Sequence, residues 1–215
     1  VSEMIHFILI FGFCFLCASC ASTYYRAMES LGIQKRDILV DRVEKARESQ
    51  EEAGEQFQSA LESFREVVAF DGGELERKYD KLKAEYDRSK AKAQEVTDRI
   101  NSVEKVADDL FDEWEDELEQ YSNQDLRGSS ERLLRDTRSR YSEMMKAMRR
   151  AESKMPPVLA QLNDQVLFLK HNLNAQAIGS IRGVAGELEL DVNALLKELQ
   201  KSIAEANEFI AEMPK

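Results

Sequence analysis

The chain has 215 residues, only three prolines and nine glycines, 33% charged and 8% aromatic side chains, and a formal net charge of −11. That length suits one continuous core, and the composition favours long amphipathic helices over a sheet. The acidic balance argues against nucleic acid and against charge-driven docking on anionic lipid, since both need a clustered basic face.

The cysteines Cys14, Cys17 and Cys20 all fall in the first twenty residues. No disulfide framework or thiolate metal site is therefore open to the remainder. Residues Phe7 to Ala18 form an apolar run, FILIFGFCFLCA. A spanning helix needs about 20 such residues, so the run reads instead as the hydrophobic core of a secretory signal. Ala18 and Ser19 are small, and Cys20 follows. This arrangement resembles the lipobox of bacterial lipoproteins, in which cleavage precedes a cysteine that carries lipid. Two departures stand out: Cys17 occupies the usual leucine position, and only His6 precedes the run in place of a charged region. A buried N-terminal helix or an uncleaved anchor is the competing reading. Two acyl chains are enough for stable anchoring. Ala21, where a retained lipoprotein would carry Asp, fits an outer-membrane address facing the periplasm.

The expected organisation is a signal peptide over 1–19, a lipidated cysteine and short tether over 20–34, and one helical domain over 35–213. In the tether, Tyr24 and Tyr25 suit either the headgroup level or the base of the bundle. Helix 1 is expected from Gln34 to Ala69 on the marks Val40, Val43, Ala46, Ala53, Phe57, Ala60, Leu61, Phe64 and Val68. Arg47, Gln50 and Gly54 interrupt that seam and predict a looser middle. Phe70-Asp71-Gly72-Gly73 reads as a turn.

Helix 2, from Glu74 to Tyr121, carries the clearest pattern. Its seam is Leu75, Tyr79, Leu82, Tyr86, Ser89, Ala93, Val96, Ile100, Val103, Ala107, Leu110 and Trp114, spaced alternately by four and three. Ser89 is its one polar intruder, and a phase slip of the stutter kind follows Trp114.

Ser122-Asn123-Gln124-Asp125 supplies capping side chains. Helix 3 then follows on Leu134, Thr137, Tyr141, Met144, Met148, Ala151 and Met155, and its seam resumes at Leu159, Leu162, Val166, Leu169 and Leu173. Pro156 and Pro157 predict a kink or a short break between the two stretches. The last turn is placed at Lys170-His171-Asn172-Leu173-Asn174, with Asn174 as the cap of a fourth helix running to Glu212. The rival reading turns at Gly179, Gly183 and Gly186 instead. Residues 108–119 hold eight acids and no base, while 125–150 hold eight bases and four acids. An antiparallel hairpin of helices 2 and 3 lays these stretches side by side. The fold class is therefore all-α: an elongated antiparallel bundle of about four long heptad-patterned helices, kinked near Pro156-Pro157.

Chemistry is sparse. The acid run lacks a glycine-bent loop to wrap a hard cation and reads as a solvated face. His171 is the one histidine after the signal; with Asp164 or Asp191 it would make a remote acid–base candidate, but no nucleophile accompanies it. Lys170, His171, Asn172 and Asn174 read as turn and cap residues, and as the candidate interaction motif. Met144, Met145, Met148 and Met155 fall at core spacing, with a soft partner groove as the alternative. No catalytic, cofactor or metal residue is expected.

The stretches YYRAMESLGIQKRDILVDRVEKAR, FDGGELERKYDKL, LFDEWEDELEQYSN and VLFLKHNLNAQAIGSI resemble a bacterial lipoprotein-like family, the domain of unknown function 2959 family, over nearly the whole chain from Cys20. The doubled proline at 156–157 departs from it. The resemblance implies export and a helical fold, and carries over no activity, ligand or catalytic residue. Together these readings lead to a lipid-anchored envelope scaffold or adaptor. It would be held to the membrane through Cys20, dock a protein partner or the cell wall, and bind no nucleic acid. The alternative is a regulatory module that clasps a partner helix in a bundle groove; an envelope enzyme using His171 is more remote. The sequence leaves the oligomeric state open.

Overall fold

Seams spaced by four and three put their apolar side chains on one stripe of a helix, and such stripes are buried by packing helices against each other. The computed structural model describes residues 34–213, with Met28 and Gly32 ahead of them, and in it the stripes meet as an all-α bundle with no strand among the described residues. Its elements are α1 (Lys35–Val68), α2 (Leu75–Leu118), α3 (Gln124–His171), α4 (Ala175–Arg182) and α5 (Ala185–Glu212). Helix α1 packs on α2 and α5, and α3 packs on the same two, so the four long helices close a ring. Short α4 lies against α1, α3 and α5 at one end.

Cross-helix pairs set the direction of each neighbour. Glu104 meets Arg149 and Glu115 meets Arg138, so α2 and α3 are antiparallel, as the opposed charge blocks imply. Arg140–Glu212 and Arg150–Glu198 give the same relation for α3 and α5. Lys81–Glu66 and Lys35–Glu113 give it for α1 and α2. Such exposed pairs are worth only ~0–1 kcal/mol each and choose register more than they add stability. Burial of the seams supplies the stability, roughly 1.5–3 kcal/mol for each fully buried large apolar side chain.

The turns follow local chemistry. Gly72 and Gly73 hold φ of 142° and 103°, conformations that a side chain disfavours, and reverse the chain between α1 and α2. Asn123 caps α3 by accepting from the backbone N–H groups of Asp125 and Leu126 at 2.9 and 3.1 Å. The expected α2 seam is buried throughout except at Tyr86 and Trp114, which are half-buried against it. Phe111, beside the seam, and Leu118, past the stutter, join the core. Ser89 costs little there, because its Oγ donates to the Glu85 carbonyl at 2.8 Å.

Three expectations are corrected. Gln50 does not loosen α1; it is completely buried, and its Oε1 accepts from Ser202 Oγ of α5 at 2.7 Å. Of the kink or short break expected at Pro156 and Pro157, the break is excluded, because α3 runs on through both. Both prolines are exposed, so the carbonyls of Glu152 and Ser153 that lose their N–H partners lie toward solvent, while Met155 and Val158 keep the seam. The fourth helix is not continuous from Asn174 to Glu212; it divides at Gly183-Val184 into α4 and α5. There Gly183 N–H bonds the Ser180 carbonyl and Val184 N–H the Ile181 carbonyl, both at 3.2 Å, the tightened i to i−3 pattern of a helix end.

The Gln50–Ser202 pair gives a stability test. Gln50 Nε2 has no hydrogen-bond partner among the described residues. Ser202→Ala leaves the amide oxygen unpaired too and should cost about 1–3 kcal/mol in denaturant titrations. Replacing both groups, Gln50→Leu with Ser202→Ala, should return stability to wild type or above it. A double variant less stable than Ser202→Ala would contradict this account.

Candidate functional site

The sequence motif at 170–174 lies at the bundle end opposite the start of α1. Lys170 and His171 are exposed in the last turn of α3, where positive charge suits the helix C-terminus. Asn172 is the C-cap, its Nδ2 donating to the Phe168 carbonyl at 2.8 Å. Asn174 caps α4 by accepting from Ala177 N–H at 3.0 Å. Helix α4 buries Ala177, Ile178 and Ile181, and Arg182 reaches back to the carbonyls of Val68 and Phe70 at 2.9 and 3.2 Å. The first is an orphan of the α1 terminus and the second lies in the turn just beyond it, so Arg182 ties α4 down as a plug. Leu167, Phe168, Leu173 and Val184 remain exposed at this end. Scattered apolar side chains are ordinary on a surface; four at one end make a candidate contact region.

The structure does not bring together an acid–base pair at His171. Asp191 instead accepts a hydrogen bond from Gln161 Nε2 across α3 and α5. The four methionines 144, 145, 148 and 155 are all buried and fill the core, with Met145 also at the edge of a groove between α2 and α3. Cys20 and the signal, with Tyr24 and Tyr25, lie outside the described residues. Among the described residues no group of three or more acidic, histidine or cysteine side chains is placed to hold a metal. Likewise no described helix is long and apolar enough to cross a membrane.

Several grooves run between the helices of the described residues. One of about 480 Å³ between α2 and α3 is lined by Glu104, Asp108, Tyr141, Met145, Lys146 and Arg149. Tyr141 stands edge-on to Phe111 and Phe209, with ring centroids 5.3 and 6.3 Å away. Burial, with Asp108 and Glu104 nearby, holds its hydroxyl far above the usual tyrosine range. A second groove, about 330 Å³, opens between α1 and α5 over Leu196, Leu199 and Ile203. Gly54 lines it, and a Cβ there would make ordinary van der Waals contact with Leu199 and Leu196 at 3.6 and 3.7 Å. A third, about 250 Å³, lies at the α1 end beside Trp114 and Leu133.

The acid run is an electrostatic feature in its own right. Burial, then the nearby Asp112, Glu104 and Asp109, holds the Asp108 carboxyl above the usual aspartate range. A carboxyl raised in the folded state binds its proton more tightly there than in the unfolded chain. The stability this gives is present in acid and lost as pH rises through the raised value. Asp108→Asn should therefore raise the melting temperature at neutral pH and leave it unchanged well below the ordinary aspartate value. Equal gains at both pH values would show that charge is not the cause.

Glu85 is the opposite case. Burial alone would raise its carboxyl, but hydrogen bonds from Arg88 and Gln56 outweigh it and hold the group below the usual glutamate range. Gln56 Nε2 reaches Glu85 Oε2 at 2.7 Å, binding α1 to α2 through a nearly buried acid. Sequence pattern missed Glu85 because a charged residue one step from the seam resembles a solvated flank.

Fold and site together define a closed antiparallel four-helix bundle with a short plugging helix, carrying surfaces and shallow grooves. The chain belongs to the family of proteins of unknown function designated DUF2959, which it matches over residues 24–213. No curated protein matches the chain.

Proposed function

We propose that this protein is a lipid-anchored scaffold or adaptor of the bacterial cell envelope, without catalytic activity of its own. It would sit at the outer membrane facing the periplasm, held through lipid on Cys20. The observation that carries the reading is the apolar run Phe7–Ala18 followed by Ser19 and Cys20, placed ahead of a bundle entered at one end. An anchor on that side leaves the α4 plug and Lys170–Asn174 directed away from the membrane. Helix α1 has 34 residues, so the plug would stand roughly 50 Å beyond the bundle entrance at 1.5 Å per residue. The exposed Leu167, Phe168, Leu173 and Val184 would meet a protein partner or the cell wall there.

The test has two arms. Mass spectrometry of the mature protein should find Cys20 at the N-terminus carrying acyl chains, and Cys20→Ala should release the protein from membranes. In-cell crosslinking from Leu173 should then capture an envelope partner, while crosslinking from Lys105, exposed midway along α2, should not. A mature protein without lipid, or one still membrane-bound as Cys20→Ala, would defeat the anchoring.

A second reading, a module that clasps a partner helix, is favoured by the Gly54 groove. Leu196, Ile203 and Ile210 are partly buried along α5 at sevenfold spacing, which suits an added amphipathic helix. Gly54→Leu would fill that groove and abolish such binding without disturbing the plug end.

A further inference from the structure

The groove at Gly54 has two unlike walls. Helices α1 and α5 run antiparallel, crosslinked by Arg47 to Asn207 toward one end and by Arg65 to Glu189 toward the other. From Arg47 to Arg65 α1 covers roughly 27 Å at 1.5 Å per residue. Within that interval the groove opens over Leu196, Leu199 and Ile203.

The α1 wall is acidic. Glu44, Glu48, Glu51, Glu55 and Glu62 follow at intervals of four, three, four and seven, so they form one row along the helix, and each is exposed. Glu51 and Glu55 line the groove itself. Glu48 pairs with Arg47 and Glu62 accepts from Gln58, whereas Glu44, Glu51 and Glu55 have no partner among the described residues. The α5 wall is apolar with a neutral rim: Gln200 is exposed between Leu196 and Ile203. Lys197 and Lys201 are exposed further round α5, each about 100° past Leu196 and Gln200.

The floor is unfinished. Gln50 lines the groove and is completely buried, yet its Nε2 has no hydrogen-bond partner among the described residues. An enclosed donor without an acceptor costs stability, and an acceptor carried by an occupant would complete it.

We propose that this groove holds an amphipathic helix of another protein, basic on the flank that meets α1. Its apolar stripe lies over Leu196 and Ile203, and Lys or Arg beside that stripe face the row from Glu44 to Glu62. The stripe supplies burial; the acid row selects the partner's charge and register. Two copies of a chain with formal net charge −11 repel, which favours a foreign helix over a second copy. The proposal rests on the helix-clasping reading of the same groove and adds the chemistry of what is clasped.

The probe is a synthetic three-heptad peptide with Leu along its stripe, one central Asn to supply the acceptor, and Lys at the flanking positions. Its counterpart carries Gln at the flanks. Binding to the full chain in non-ionic detergent is followed by fluorescence anisotropy. The Lys peptide should bind about tenfold tighter than the Gln peptide. Glu51→Lys with Glu55→Lys should remove that advantage. Asp112→Lys with Asp116→Lys, in the denser acid run of α2, should preserve it. Gly54→Leu should release both peptides, with helical circular dichroism retained. If both peptides bind equally and Gly54→Leu releases both, the proposal falls and the clasping reading stands. If neither binds, both fall. An advantage lost with the Asp112–Asp116 pair and kept without Glu51 and Glu55 would also overturn the proposal. So would a dimer of the free chain that Gly54→Leu dissolves, because the groove would then belong to a second copy.

Discussion

Val103→Asp is expected to unfold the bundle, while Glu113→Ala, ten residues along the same helix, is expected to leave it almost untouched. Val103 has no exposed surface and sits on the α2 seam between Ile100 and Ala107, both equally enclosed. A carboxylate there must stay charged without a partner or take up a proton at a cost, and either outcome forfeits the Val packing. Burying such a group costs several kcal/mol, against a total stability of about 5–15 kcal/mol for a typical domain. Glu113, by contrast, pairs with Lys35 at 2.9 Å with a third of its side chain exposed. Such pairs contribute ~0–1 kcal/mol. Thermal melts followed by circular dichroism separate the two variants. Equal melting temperatures would mean that the α2 seam does not face the core.

That contrast was readable from residue order because α2 repeats its spacing without interruption. Where the sequence misled, the missing information was a distant partner. Gln50 looked like a break in α1, but Ser202 lies 152 positions away and converts it into a core residue. The division of the last helix at Gly183-Val184 was equally hidden. The glycines signalled weak helix, yet nothing in residue order says that Arg182 will bind the carbonyls of Val68 and Phe70. Once Arg182 is held there, α4 lies across the bundle end and α5 must start afresh. The caps were legible, since Asn123 and Asn174 act on backbone within three residues of themselves. Of the candidate site, 170–174 was located by its helix-ending chemistry, whereas the Gly54 groove needed α5 in place before it existed.

Replacing Pro156 and Pro157 together by alanine should stabilise the protein. Each proline sits inside a 48-residue helix and removes one N–H that would bond the carbonyl four residues earlier. A helix-interior proline is about 3 kcal/mol less favourable than alanine. Exposure of both prolines limits the damage, because water can take the freed carbonyls of Glu152 and Ser153. It also means that alanine enters without overpacking, since Met155 and Val158 occupy the core on either side. Part of the gain is offset wherever neighbouring helices have adapted to the prolines. A net gain of roughly 2–4 kcal/mol for the double variant is expected from these terms. For a chain of this size that is a rise of roughly 5–15 °C in melting temperature. A fall in melting temperature would show the reverse: that α5 and α2 pack against a bend which alanine straightens, and that the prolines shape the bundle instead of merely being tolerated by it.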